Sequence, residues 1–330
     1  MKKNYLIFRC VFFCAVALVM LSCTESQQTT TVEGSGLTWA EKLGFAKNKK
    51  VIILHADDAG MCDEANQAVF AYLGQNHIQS TAAMVPCKFF DEFAAWAAAN
   101  PEKDTGIHLT LTSEWNTYRW GPVSDPAKVP GLIDPDGFLW HEVPQVVTHA
   151  SAAEIEIEIR EQIEKAVSLG MKVDHIDTHM GTMFGRLDYT QVYLKVAQAY
   201  NVPAMVINLA DDEVFERFRK EGYPLNEDTR ALLAGYPMPQ LDDFYAVPAA
   251  STYEEKINSF TGLVKSLKPG LTEIIFHPSL ETENLKSITN SWQQRVWEAR
   301  MFSDPQLIRF LQDEQVIFTN WIEIMERFKG

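Results

Sequence analysis

Residues 51–60 read VIILHADDAG, an aliphatic, β-branched run that ends in two adjacent acids. Three further segments share that design: TGIHLTL at 105–111, VDHIDTHMG at 173–181 and EIIFHP at 273–278. In each, residues able to bind a metal or carry a proton stand at or just after the carboxyl end of a strand-like run. A parallel α/β barrel opens the C-terminal ends of all its strands onto one face, and its chemistry takes place there. Four such strands would deliver Asp57, Asp58, His108, Asp177, His179 and His277 to one place. Carboxylate and imidazole ligands with spare acids and bases beside them make the inventory of a metal-dependent hydrolase.

Outward from these segments the chain alternates strand and helix. Strands are expected over 51–55, 80–85, 106–111, 173–178, 204–207, 273–276 and 316–319. Helices are expected over 63–73, 89–99, 189–200, 252–267 and, as one or two pieces, 292–310, with a terminal helix after the last strand. Ser151 with Glu154 forms a capping box. Ile155, Ile159, Ile163 and Val167 then follow at spacing four, in a helix that ends at Gly170. Residues 113–150 and 210–249 have no clear period, and loops that long in a compact domain tend to be functional. About seven strands, most followed by a helix, favour a single (β/α) barrel over a doubly wound open sheet. No Gly-rich phosphate loop follows the first strand, as the open sheet would need.

Three regions are expected: residues 1–22 as a lipoprotein signal peptide, 23–48 as a polar tether and lead-in, and 49–330 as the barrel. A basic start, an apolar stretch over 5–21 and then Leu21-Ser22-Cys23 resemble a bacterial lipoprotein cleavage site, although Met20 replaces the usual Leu. Cys23 would carry the lipid, and the chain would sit in the cell envelope, on the periplasmic or outer-membrane face. The stretch 24–36 (TESQQTTTVEGSG) is polar and free of aromatics, as a tether should be. Cys10 and Cys14 fall in the signal, which leaves Cys62 and Cys87, expected as two separate thiols.

The chain has 330 residues, 46% of them hydrophobic, and a net charge of −15. Removing the signal with Lys2, Lys3 and Arg9 leaves 26 basic against 44 acidic residues, a net −18. So acidic a body repels nucleic acid and anionic membrane surfaces. A neutral or amino-bearing substrate suits it better, with membrane contact through the lipid anchor alone.

Adjacent side chains in an extended strand point to opposite sides. Asp57 and Asp58 can therefore face one site only if the strand end bends, and Ala59-Gly60 permits that. One acid could then ligate a metal while the other takes a proton from water. His175, Asp177 and His179 alternate at period two and share one side of a strand. His179, nearest the tip, is the ligand choice. Asp177 is placed to orient a His ring, and His175 lies deeper. Pro278 ends its strand and fixes His277 at the tip, where an acid for a leaving amine fits.

These motifs together resemble the YdjC-like (ChbG/HpnK) carbohydrate deacetylases, over residues 50–278 and on towards the C-terminus. The resemblance rests on Asp57-Asp58-Ala59-Gly60, Gly106-Ile107-His108-Leu109, His175-Ile176-Asp177-Thr178-His179 and His277-Pro278. It implies an irregular seven-stranded (β/α) barrel and one divalent metal ion, with Asp58, His108 and His179 as ligands. Asp57 would be the base that activates water, and His277 would stand near the leaving group. The implied reaction removes an N-acetyl group from an amino sugar or N-acetylated oligosaccharide. An Asp with two His suits Zn²⁺, and also Mn²⁺, Co²⁺ or Fe²⁺, with the hard ion Mg²⁺ less comfortable; Zn²⁺ and Mg²⁺ head the expectation. Many relatives carry further histidines after the DxH, in an HxHxH-like run. Here Met180-Gly181-Thr182-Met183-Phe184 stands there instead, which changes the adjoining subsite.

Two other readings compete. A glycoside hydrolase could use Asp57 and Asp177 as its carboxylate pair, leaving the histidines idle. A non-catalytic lipoprotein could bind glycans and need no metal. Trp115, Tyr118, Trp120 and Trp140 offer flat faces on which sugars could stack, or else form a satellite core under a long loop.

Overall fold

Seven parallel strands form the frame of the computed structural model, which describes residues 36–330. They are β1 (Lys50–Ala59), β2 (Ser80–Ala83), β3 (Asp104–Leu109), β4 (Ile176–Thr178), β5 (Asp243–Ala246), β6 (Gly270–Phe276) and β7 (Ile317–Phe318). The order across the sheet is β4-β3-β2-β1-β6-β5, with β7 also on β1. β6 runs along one edge of β1 from Lys50↔Gly270 to Ala56↔Phe276. The other edge is divided: β7 takes Val51 and Ile52, and β2 takes His55, Ala56 and Ala59.

Between β4 and β5 the wall is stitched by single bridges, Ile176↔Ala204 and Ile207↔Leu241. Met205 N donates to Ile176 O (2.8 Å) and Leu241 N to Val206 O (2.8 Å). The sheet thus curls into an irregular α/β barrel. The strand expected over 204–207 is reduced to these bridges. In its place β5 emerges inside the stretch expected to be irregular, half-exposed and only four residues long.

The helices follow the expected pattern closely. Asp63–Gly74, Phe90–Ala99, Leu187–Tyr200 and Tyr253–Ser266 pack apolar stripes against the strands. Ala152–Ser168 opens with the Ser151/Glu154 capping box and buries Ile155, Ile159 and Ile163. Residues 292–310 form two helices, Trp292–Met301 and Pro305–Asp313, split where Asp304 caps the second. The loop over 113–150 is anchored by a buried acid: Glu158 accepts from Val123 N and Ser124 N, both at 2.9 Å.

Beneath the carboxyl ends of the strands the barrel interior buries several titratable side chains, among them His55, Asp104, His175 and Glu273. His175 Nδ1 lies 2.8 Å from Asp104 Oδ1, and its ring stacks on Trp321. A Cβ at Gly106 would collide with the His175 ring, which would have to shift to admit it. Cys62 and Cys87 are separate buried thiols. The expected signal, the Cys23 lipidation site and the tether up to residue 35 lie outside the described residues, and Leu37–Gly330 forms one compact unit.

Candidate active site

The pairing of β1 with β2 slips between Ala56 and Ala59, and the residues in the slip are Asp57 and Asp58. Asp58 takes a left-handed conformation, φ +61°, which aspartate tolerates better than most residues. Gly60 follows at φ +79°; its N–H donates to Asn66 Oδ1 (2.7 Å), and a Cβ on it would press within 3.2 Å of Phe90 Cα. This bulge is the bend the sequence required. It turns two neighbouring acids, which a regular strand would separate, towards one centre.

Asp58 Oδ1 lies 3.5 Å from His108 Nε2 and 3.3 Å from His179 Nδ1. These three ligand atoms fall within 4.8 Å of one another, and all three side chains are buried. Asp58 Oδ1 has no hydrogen-bond partner. A buried carboxylate oxygen without a donor, facing two imidazole nitrogens, is the donor set a divalent cation needs, so these residues fit a metal. Its other oxygen accepts from Arg295 Nη2 at 2.7 Å. Burial pushes the Asp58 carboxyl upward, but Arg295 and then His277 outweigh it and hold the group well below the usual carboxylate range.

Asp177 sets the histidine. Its Oδ1 lies 2.7 Å from His108 Nδ1 and its Oδ2 lies 3.0 Å from His55 Nε2. A carboxylate on Nδ1 fixes the proton there and leaves the Nε2 lone pair facing Asp58. His179 Nε2 meets Glu114 Oε2 at 3.1 Å. In the metal-free protein, burial lowers the His179 pKa, yet Glu114 and Asp58 together hold it up at about 10.

Two other triplets also come within ligating distance: Asp57/His108/Asp177 and His55/His175/Asp177. The first contains the 2.7 Å His108–Asp177 contact, which leaves no room for an ion between them. In the second, His175 Nδ1 faces Asp104 Oδ1 at 2.8 Å and His55 Nε2 faces Asp177 Oδ2 at 3.0 Å, so each imidazole already has a carboxylate beside it. Of the three triplets, Asp58, His108 and His179 have the geometry best suited to hold a metal ion.

Asp57 sits beside this centre. Its Oδ1 is 3.2 Å from His55 Nε2, and its Oδ2 is 3.9 Å from His277 Nε2. His277 is fixed through its backbone, whose N–H donates to Glu298 Oε2 at 2.7 Å, while the buried Lys256 neutralises Glu298 at 2.7 Å. The His277 side chain is 34% exposed, the most open of the five candidate residues. Below them, Glu273 accepts from Trp321 Nε1 (2.9 Å), and burial raises its pKa to about 7 despite His55 and His175 nearby.

All six residues expected at the strand tips arrive at one end of the barrel, and His175 is the deeper group as expected. Four partners were not anticipated. His55 stands two residues before Asp57, so period two already placed it on that side of β1. Glu114 lies in an aperiodic loop and Glu273 at mid-strand. Arg295 comes from the helix Trp292–Met301, with no local signal that it would reach Asp58.

A cavity of about 310 Å³ opens from Asp57, His108, Asp177, His179 and His277. The aromatic loop does not line it. Trp115 stacks on Tyr118 and both meet Trp120 edge-on, and Trp140 stacks on His149 while its Nε1 donates to Gly131 O. Of the two roles open to this loop, the structure shows the packed one.

Known proteins share this arrangement of chain. A carbohydrate deacetylase of Thermus thermophilus is 30% identical over 275 residues, 83% of this chain and 93% of that one. A carbohydrate deacetylase of Thermoanaerobacter pseudethanolicus is 27% identical over 273 residues, 82% and 98% of the two chains. A crystal structure of a proposed cellobiose-phosphate cleavage protein from Enterococcus faecalis superposes with a TM-score of 0.65 at 22% identity, covering 83% of this chain and 98% of that one. The model of the YdjC-like protein family matches residues 51–313, from the first barrel strand to the helix before the last. With the strand-tip acids and histidines all inside that match, this chain belongs to the YdjC-like family.

Proposed function

We propose that this protein is a metal-dependent deacetylase that removes the N-acetyl group from an amino sugar or N-acetylated oligosaccharide. The observation that carries the reading is the convergence of Asp58, His108 and His179 on an unpartnered carboxylate oxygen, with Asp57 and His277 on the same cavity. The carbohydrate deacetylases among its relatives support it. A divalent ion held by Asp58, His108 and His179 would polarise the acyl carbonyl and make an attacking water more acidic.

The chain's own groups supply the rest. Arg295 keeps Asp58 anionic, and Asp177 holds His108 with Nε2 towards the centre. Asp57, whose Oδ1 faces His55 at 3.2 Å, accepts the proton of the water. His277, facing the other oxygen of Asp57, delivers a proton to the departing amine. A glycosidase reading needs a second free carboxyl group. Asp177 is not one, because each of its oxygens already faces a buried histidine.

The test is acetate release from a panel of N-acetylated glycans, before and after chelation. Acetate that stops with chelator and returns with added Zn²⁺ or another divalent ion is the expected result. Chelator-resistant release of a sugar would make it a glycosidase, and glycan binding without any turnover would make it a binding protein.

A further inference from the structure

The two histidines of the candidate metal site are held in opposite senses. His108 turns Nε2 towards Asp58 and Nδ1 towards Asp177, whereas His179 turns Nδ1 towards Asp58 and Nε2 towards Glu114. Nδ1 is the ring nitrogen nearer the backbone, so a neighbouring strand can reach it. Asp177 does so from β4, as the register partner of His108 on β3. Nε2 lies at the far edge of the ring. In His179 it is turned away from Asp58, and the carboxylate that meets it comes from beyond the strand ends.

The loop after β3 supplies that carboxylate. Both Glu114 oxygens lie on His179 Nε2, at 3.2 and 3.1 Å. The residues just before Glu114 are pinned. Thr112 and Ser113 are fully buried, and Thr112 Oγ1 donates to Met180 Sδ (3.5 Å), next in sequence to His179. Ser113 N donates to Trp140 O (2.7 Å), and Ser113 Oγ accepts from Arg119 Nε (3.1 Å) and Trp120 N (3.0 Å). Arg119 is tied in turn to Asp134 Oδ2 (2.8 Å) and Leu139 O (2.7 Å). Later parts of the 113–150 loop thus fix its beginning. Glu114 is not among the residues that line the cavity, so its contact is with the histidine and not with a bound saccharide.

We propose that Glu114 is a positioning residue for the metal centre, and that seating it behind His179 is a task of the 113–150 loop. This rests on the metal-dependent reading above, with Asp58, His108 and His179 as ligands. In a ring that binds through Nδ1 the remaining proton sits on Nε2, where Glu114 accepts it. That contact fixes which nitrogen faces the ion, sets the plane of the ring and makes Nδ1 a stronger donor. Asp177 does the same for His108 from the neighbouring strand, so each imidazole of the set is backed by its own carboxylate.

The experiment titrates Zn²⁺ into the metal-stripped full chain and into its Glu114→Gln and Glu114→Ala variants, by calorimetry against a competing chelator. The dissociation constant should rise about tenfold in Glu114→Gln, which keeps an acceptor oxygen, and up to about 100-fold in Glu114→Ala. At saturating ion the KM for an N-acetylated glycan should not change, because Glu114 lies off the cavity. The visible absorption of Co²⁺-loaded Glu114→Gln should shift, which a loop that only packs would leave unchanged. Should the variants fail to fold, the unaltered protein decides: nitrogen NMR of the Zn²⁺-loaded chain should show His179 bound through Nδ1, with an Nε2 proton protected from exchange. If all three proteins bind Zn²⁺ equally, if KM rises while affinity holds, or if His179 binds through Nε2, the role of Glu114 is overturned and the metal site stands. If the unaltered chain binds no divalent ion, the metal-dependent reading fails and this inference goes with it.

Discussion

Asp57 and Asp58 are chemically identical neighbours that the fold assigns to different tasks. Asp58 has one oxygen on Arg295 and the other open to two imidazoles; Asp57 faces His55 and His277. Asp57→Asn is therefore expected to lower kcat by about 10²–10⁴-fold while calorimetry still finds one divalent ion bound. Loss of the ion along with the rate would move Asp57 into the ligand set. The Arg295–Asp58 pair also makes a pH statement. The folded pKa of Asp58 is depressed, so the pair stabilises the fold above the ordinary carboxylate range and loses that contribution as pH falls through the folded value. Arg295→Gln in metal-free protein should cost about 3–5 kcal/mol near neutral pH. The gap to the unaltered protein should narrow below about pH 4, and denaturant midpoints at the two pH values would measure it. An unchanged gap would mean that Arg295 acts through packing alone.

At the scale of elements, what could be read in the sequence was what local rules encode. β1, β3 and β6 are aliphatic runs with a chemical residue at the tip, and the 152–168 helix carries its cap and stripe in plain view. β5 was not legible, because DFYA is short, half-exposed and lacks alternation. Residues 204–207 looked like a strand, yet their neighbours β4 and Leu241 leave room only for single bridges. Among site residues, those on strands could be placed by period two, while Glu114 and Arg295 depend on tertiary folding of a loop and a helix. Gly106 shows the same dependence from the other side. Its place in β3 looks ordinary until the His175 ring is found against it. Gly106→Ala should overpack that contact and cost about 1–3 kcal/mol. A thermal midpoint equal to that of the unaltered protein would show that the ring can swing aside.

At the scale of the whole molecule, the acidic body and the Leu21-Ser22-Cys23 motif belong together. We propose that the mature chain begins at a lipidated Cys23 and works in the cell envelope, with residues 24–36 as its tether. Cys23→Ser should block processing or release a soluble protein, as fractionation and mass spectrometry of the N-terminus would record. Unmodified chain in the cytoplasm would sink that proposal.

The pairing of β1 with late strands has a consequence for biogenesis. The strand that carries both acids is made early, but its partners Gly270–Phe276 and Ile317–Phe318 leave the ribosome near the end. β2 joins it across a short connection, but β6 and β7 do so only by closing very long loops, a slow and topologically demanding step. A nascent chain halted before residue 270 would hold Asp57, Asp58, His108 and His179 yet lack the β6 flank of β1. The site therefore gains its β6 flank, and His277 at the tip of it, only after synthesis is nearly complete.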